Sequence, residues 1–511
     1  MSWLRLRAAR SGSSTAWSSP GPRIPVDPLR PELVDVLRLG RRLVRMAVAI
    51  ARAETPAGLL AEHLGSEAPS LPVVGEGWAA YDHVNLQGAL DRWTQTPGRS
   101  TILVGLTNFQ HAMFTLADIA QPGVSMYGVG IGAAAMARMA SGPGGATRAC
   151  VRCGLYLISE DQARMALLFR EASPHSGRDQ TTVEVLCADS DRAAAVPGEI
   201  RALALEHSVF RGQILSFGSE MFGPRDAPLS FHERPALRRE SLVLPAGVLE
   251  AIEAQVVGVA RHRSRLVSSG QHLKRGVLLH GPPGTGKTHT LRYLMGLLTD
   301  TTVVMLSGDA LQFIAPAVSI ARALQPALVI VEDVDLIAEQ RGMHPGQHPL
   351  LFELLNEIDG LAEDADVTFL LTTNRADLLE PALAQRPGRV DQAVELPLPD
   401  AEGRRRLLAL YRGRLEMQLS DTDPIVAQTE GMTASFFKEL LRRAALISAE
   451  SCREGGHGAL TVTDAHLRAA LDQLLAEQNQ LTRILLGARR DHYPQDPASA
   501  TDRPVEFGGE P

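Results

Sequence analysis

Residues Gly281-Pro282-Pro283-Gly284-Thr285-Gly286-Lys287-Thr288 spell the pattern G-x-x-x-x-G-K-[ST] directly behind an apolar run, Gly276-Val277-Leu278-Leu279-His280. No other stretch of the chain restricts its fold as much. A polyphosphate brings several negative charges to one point, and backbone N–H groups can converge on it only where glycines permit positive φ and close approach of the main chain. The pattern predicts a strand, a phosphate-binding turn and a helix, in that order. From His289 to Leu298 apolar residues recur at helical spacing, so that helix would aim its free N–H groups and positive dipole end into the turn. Lys287 would meet the β- and γ-phosphates, and the Thr288 hydroxyl is placed to ligate Mg²⁺. All eight loop residues, with His289 behind them, are the candidate nucleotide contacts.

A second constraint lies downstream. Ala327-Leu328-Val329-Ile330-Val331 is an unbroken apolar run, as expected of a central parallel strand buried on both faces, and it ends in Glu332-Asp333-Val334-Asp335. Carboxylates at the end of a strand beside a phosphate loop can hold the water shell of Mg²⁺ and orient an attacking water. Glu332 and Asp333 are the catalytic candidates, with Thr288 and Glu332 on the metal side. Another such run, Val367-Thr368-Phe369-Leu370-Leu371-Thr372-Thr373, ends in Asn374, whose amide could reach both the γ-phosphate and that water. Arg386-Pro387-Gly388-Arg389 then supplies two arginines, Arg386 and Arg389, which are permanently charged and forked and so suited to a transferring phosphoryl group.

In this order and spacing, residues from about 240 to 480 resemble the ATPase module of the AAA family. The resemblance covers somewhat under half of the chain. It rests on Gly281 to Thr288, the Walker B pair Glu332 and Asp333, Asn374, the two arginines, and Asn356-Glu357-Ile358-Asp359-Gly360-Leu361, which is similar to the family's intersubunit signalling segment. It implies ATP and Mg²⁺ as the bound species, hydrolysis to ADP and phosphate, and a homo-oligomeric ring, typically a hexamer, in which Arg386 and Arg389 reach the neighbouring subunit's nucleotide. There are departures. The family's Walker B usually ends in Asp then Glu, whereas this chain has Glu332 then Asp333, and the shorter Asp333 at the water-activating position would hold its water less closely. Thr433-Ala434-Ser435-Phe436-Phe437 stands where the family usually shows Ser-Gly-Ala-Asp, so no arginine reaches the nucleotide from that position and the adenine contacts stay unassigned.

The resemblance further implies remodelling or unfolding of protein substrates through a central pore. Asp309-Ala310-Leu311-Gln312-Phe313-Ile314-Ala315 falls where the family carries an aromatic-hydrophobic-glycine pore loop. Phe313 and Ile314 fit the first two positions, while Ala315 replaces the glycine; the other reading of Phe313 is a core residue. The alternative to a remodelling motor is a nucleotide-dependent switch or assembly scaffold with slow or no hydrolysis.

At 511 residues, 45% of them hydrophobic, the chain can hold roughly two to four domains. The expected fold class is α/β: a P-loop NTPase parallel sheet over 240–400 with a C-terminal helical lid over 401–485, preceded by a separate α/β domain over 71–235 that recognises substrate or adaptor. In that domain, runs such as Thr101-Ile102-Leu103-Val104, Leu155-Tyr156-Leu157-Ile158 and Thr182-Val183-Glu184-Val185-Leu186 alternate with helical patterns. Its Gly/Ala-rich stretch from Gly128 to Gly145 is expected to be a flexible connector. Glu206 to Gln213 resembles, weakly, sequences just upstream of the ATPase module in some bacterial AAA proteins. Residues 1–30, rich in Ser, Pro and Arg, read as a disordered leader or, given few acids, an organelle transit peptide. Residues 31–70 read as a helical segment, and 486–511 as a disordered tail.

Among the four cysteines only Cys150 and Cys153 are close, and no second C-x-x-C or His pair completes a zinc site. Two reduced thiols on a turn or strand in a reducing compartment fit best, which places the protein in the cytoplasm with no membrane span. The formal net charge of −7 gives no support for a nucleic-acid partner.

Overall fold

The computed structural model describes residues 55–109, 114–122, 128–161, 163–173, 177–218, 229–335, 349–376, 390–451 and 460–476. The expected leader, the first part of the 31–70 segment, the expected tail, and Arg386 and Arg389 lie outside the described residues.

The first unit runs α1 (Pro56–Leu64), β1 (Val73–Ala79), α2 (His83–Thr94), β2 (Arg99–Leu106), α3 (Leu116–Ala120), β3 (Ile131–Gly132), β4 (Ala135–Ala140), β5 (Thr147–Glu160), β6 (Ala163–Arg170), β7 (Gln180–Cys187) and α4 (Ser190–Glu206). Its sheet has the order β1-β7-β6-β5-β2-β3, with β4 also pairing to β5, and its pairings are antiparallel. Leu86, Leu90, Trp93, Val196 and Ile200 pack α2 and α4 on one face; Leu59, Leu60, Leu116 and Ile119 pack α1 and α3 on the other. Helix starts are fixed locally: Thr55 caps α1 through Gly58 N, and Asp189 caps α4 through Asp191 N and Arg192 N. Since α1 closes this core, the end of the 31–70 segment belongs to the N-terminal domain.

The Gly128–Gly145 stretch is not a connector. It forms β3 and β4, because Gly105 lets the main chain of Ala133 and Ala134 approach to where a Cβ would lie 2.2 Å away. Cys150 and Cys153 lie on β5 but in different cores, so they do not converge on a shared ligand.

The second unit comprises β8 (Ile214–Phe217), β9 (Leu229–His232), α5 (Val248–Glu253), α6 (Val259–Ser268), β10 (Arg275–His280), α7 (Lys287–Leu297), β11 (Thr302–Leu306), α8 (Ile314–Ala323), β12 (Ala327–Val331), α9 (Pro349–Asp359), β13 (Val367–Thr373) and β14 (Gln392–Glu395). The sheet order is β14-β10-β13-β12-β11-β8-β9, parallel except for β9. β12 and β13 are buried along their whole length, as their unbroken apolar sequences require. The expected boundary near 235 is displaced: β8 pairs Ile214 with Val303 of β11, so this sheet begins before residue 240. A four-residue strand such as Ile214-Leu215-Ser216-Phe217 does not encode which sheet it joins; the register with β11 does.

The lid contains α10 (Ala401–Tyr411), β15 (Glu416–Gln418), α11 (Asp423–Gln428), α12 (Ala434–Ser451), β16 (Thr461–Thr463) and α13 (Asp464–Leu475), around Phe436, Phe437, Leu440 and Leu471. The two larger units share apolar packing. Val84 and Cys150 of the first belong to one core with Phe217, Leu306, Ile314 and Val318 of the second.

Candidate functional site

β10, β13 and β12 are parallel neighbours, so their C-terminal ends share one edge of the sheet. There the chain leaves β10 and enters α7 through the glycine loop, with Gly281, Gly284 and Gly286 at φ 147, 81 and 106. A Cβ at Gly281 would lie 2.3 Å from the Leu396 carbonyl oxygen, and one at Gly284 would lie 2.8 Å from Thr433 Oγ1 and 3.0 Å from Ser435 Oγ. The lid thus rests on the loop, and only glycine leaves room for it. Thr285 Oγ1 donates to the Pro282 carbonyl at 2.9 Å and tightens the turn. Gly286 is the residue before α7, so the unpaired first-turn N–H groups of that helix face the loop.

Lys287 Nζ lies across the loop, donating to the carbonyls of Gly281 at 2.7 Å and Pro282 at 3.0 Å. Burial pulls its pKa below the usual lysine value, against the opposing effect of Asp333 and Asp335. Thr288 is exposed, and its side chain hydrogen-bonds the Glu332 carboxyl. His289 is half-buried; burial, then Arg292 and Lys438, hold its pKa below normal.

Glu332 and Asp333 part company at the end of β12. The Glu332 Oε1 atom is buried without a hydrogen-bond partner, and burial foremost, with the charge of Asp333, raises its pKa. An ionised carboxylate short of one partner, beside the Thr288 hydroxyl and next to a loop shaped for phosphate, suits a divalent cation; Thr288 and Glu332 are the residues that would hold Mg²⁺. Asp333 has φ 53, a conformation costly for a residue with a side chain. β13 holds it there: Thr372 Oγ1 accepts from Asp333 N at 3.1 Å and the Thr372 carbonyl accepts from Val334 N at 2.9 Å. Asn374 Nδ2 donates to Asp333 Oδ1 at 3.2 Å, joining the ends of β12 and β13.

Sequence reasoning missed the residues that set this geometry. Asp335, buried, accepts at Oδ1 from Thr373 Oγ1 at 2.8 Å and from Asn374 N at 3.2 Å, and so aims Asn374. Its place as the last acid of the Walker B run was the available signal; nothing local marked Thr372. A narrow, largely apolar cleft beside Thr285, lined by Val243, Leu244, Pro397, Leu407 and Ala434 among others, lies between the loop and the lid. It draws on four segments far apart in sequence, which is why no motif named it.

Two expected features lie elsewhere. Asn356 to Asp359 end α9, which packs on α8, with Arg322 3.6 Å from Glu357. Phe313 is not presented as a free pore-loop side chain. It ends a short 3-10 turn (Gly308–Phe313), packs on the core shared by the two large units, and stacks on Phe217 with centroids 5.2 Å apart and planes at 18°. Phe313 is partly buried there, and the exposed residues of the connection from β11 to α8 are Ser307, Gly308, Asp309 and Gln312.

The raised pKa of Glu332 has a measurable consequence. An acid whose folded pKa lies above its unfolded value costs no stability while both forms are protonated, and the folded state loses stability as pH rises from about 4.5 through the folded value. Nucleotide-free Glu332→Gln protein should therefore melt at the same temperature as the parent at pH 4 and higher at neutral pH, while gaining less from ATP–Mg²⁺. Melting curves across pH, with and without nucleotide, check this; a variant that melts lower than the parent at neutral pH counts against it.

Residues 277–398 match the model of the AAA family, ATPases associated with various cellular activities. The chain is similar to the ATP-dependent zinc metalloprotease FtsH 3 of Sphaerobacter thermophilus, 34% identical over 263 residues, 48% of this chain and 52% of that protein. It is also similar to the ATP-dependent zinc metalloprotease FtsH of Mycobacterium tuberculosis, 32% identical over 256 residues, 47% of this chain and 33% of that protein. The chain thus spans about half or less of the length of these curated relatives. Nowhere in its sequence does an H-E-x-x-H pattern occur.

Proposed function

We propose that the chain is an ATPase of the AAA family, on the match of residues 277–398 to that family, and that it hydrolyses ATP in a homo-oligomeric ring, a hexamer, and spends the cycle on remodelling or unfolding protein substrates selected by its N-terminal domain. The observation that carries this reading is the meeting of Lys287 and Thr288 with Glu332, Asp333 and Asn374 at one sheet edge, Asn374 bonded to Asp333 at 3.2 Å. The similarity to ATP-dependent proteases supports a protein substrate.

The roles follow from position. The loop N–H groups and Lys287 bind the β- and γ-phosphates. Mg²⁺, when bound, neutralises phosphate charge. Thr288 and Glu332 keep their oxygens on the metal side, and Asp333 accepts the proton of the attacking water, which Asn374 orients. The lid, seated on Gly284 through Thr433 and Ser435, excludes bulk water. Free Cys150, Cys153 and Cys187 support a reducing compartment, and we place the protein in the cytoplasm. Among the described residues no helix is long and apolar enough to cross a membrane.

Steady-state ATP turnover with and without an unfolded protein tests the reading. Turnover that rises with the unfolded protein supports a remodelling motor; unstimulated turnover at a very low rate points instead to a nucleotide-dependent switch. The ring makes its own prediction. Arg386→Ala and Arg389→Ala should each leave nucleotide binding intact and cut turnover by about 10³-fold. Mixing Arg389→Ala with Lys287→Ala protein should restore activity at mixed interfaces, and mixed rings no more active than either parent would favour a finger acting within its own subunit.

A further inference from the structure

Phe217 lies at the end of β8, where the chain passes from the N-terminal domain into the ATPase sheet, and it touches both. Phe313 stacks on one side of its ring, and Tyr81 meets it edge-on with centroids 5.9 Å apart and planes at 85°. The Tyr81 hydroxyl hydrogen-bonds the side chain of Ser319 on α8. Beside it, Asn85 at the start of α2 accepts from Val209 N at 2.8 Å and donates to Asp82 Oδ1 at 3.0 Å, fixing the α2 end against the segment that feeds β8. The N-terminal domain therefore grips a strand and a helix of the ATPase sheet by rings, hydrogen bonds and a shared apolar core.

That core reaches the nucleotide site. Leu306, packed with Phe217, Ile314 and Val84, uses its carbonyl to accept from Glu332 N at 2.9 Å. On the far side of α8, Arg322 approaches Glu357 of α9. A change in the position of the Glu332 backbone is felt by β11 and α8, because close-packed cores move as units rather than deforming smoothly.

We propose that Tyr81, Phe217 and Phe313 form a joint through which the nucleotide state of the ATPase domain is transmitted to the N-terminal domain, and by which occupancy of that domain acts back on the nucleotide site. In this arrangement Phe313 serves the joint rather than a pore. The inference rests on the nucleotide site proposed above. Reciprocity follows: whatever factor nucleotide exerts on the N-terminal domain, that domain exerts on nucleotide affinity.

Hydrogen exchange on the full chain, with a non-hydrolysable ATP analogue and Mg²⁺, tests it. In the parent protein the analogue should slow exchange in α7, at the site, and also in α2, about 5-fold or more. Tyr81→Ala should remove the effect on α2 and keep that on α7, while Tyr81→Phe, which loses only the bond to Ser319, should keep most of both. Protection of α7 with no change in α2 of the parent, or a change in α2 that survives Tyr81→Ala, overturns the joint. If the analogue protects neither helix, the nucleotide reading fails, and thermal unfolding then decides the joint alone: one transition in the parent and two in Tyr81→Ala support it, and one in both overturns it.

Discussion

The Asp333→Asn protein should bind ATP–Mg²⁺ with near-parental affinity and hydrolyse it about 10² to 10⁴ times more slowly, the range for loss of a positioned general base. The fold should survive, for two reasons that the geometry supplies. Asparagine tolerates the left-handed backbone that Asp333 adopts at φ 53, and its carbonyl oxygen can still accept from Asn374 Nδ2. What it cannot do is take a proton. Glu332→Gln should differ in kind: with Glu332 next to Thr288 and short of a partner at Oε1, that change should weaken Mg²⁺-dependent binding as well as turnover. Binding titrations beside single-turnover rates separate the two variants, and reversed phenotypes mean that the Glu-Asp order here does not exchange the usual roles.

Lys287→Ala should lose ATP affinity by about 10² or more. The side chain's ammonium lies across the loop on the carbonyls of Gly281 and Pro282, at the place the phosphates would take, so bound phosphate would draw it off those carbonyls. Each hydrogen bond to a charged group is worth about 1.5–3 kcal/mol, and two such bonds account for at least that factor. The nucleotide-free fold should change little, since burial disfavours the Lys287 ammonium there and its two contacts are with carbonyls of the same loop. The check is a direct titration with ATP–Mg²⁺ beside a melting curve; undiminished affinity in a folded variant would remove Lys287 from the site.

Much of the site was legible because its chemistry is local. The glycine pattern after an apolar run forces strand, loop and helix whatever surrounds them, and Glu332, Asp333 and Asn374 each end an apolar run that only a buried parallel strand accommodates. Parallel strands of one sheet bring their C-terminal ends to one edge, so the meeting of these residues followed once the strands were recognised. What failed to show is equally specific. Asp335 and Thr372 act by holding other residues, and such support has no motif.

The sequence by itself determined the phosphate loop, the buried strands that end in the acidic and amide groups, and the identity of those groups, since each depends on residue type and short spacing. Tertiary structure decided the rest. It drew β8 and β9 into the ATPase sheet, turned the Gly128–Gly145 stretch into two strands, opened a cleft between Val243, Pro397 and Ala434, and set Phe313 against Phe217. Each of these outcomes depends on partners that lie far apart in sequence. A phenylalanine at the start of a helix carries the same local signal whether it faces a pore or a neighbouring ring, and only the surface that packs against it distinguishes the two.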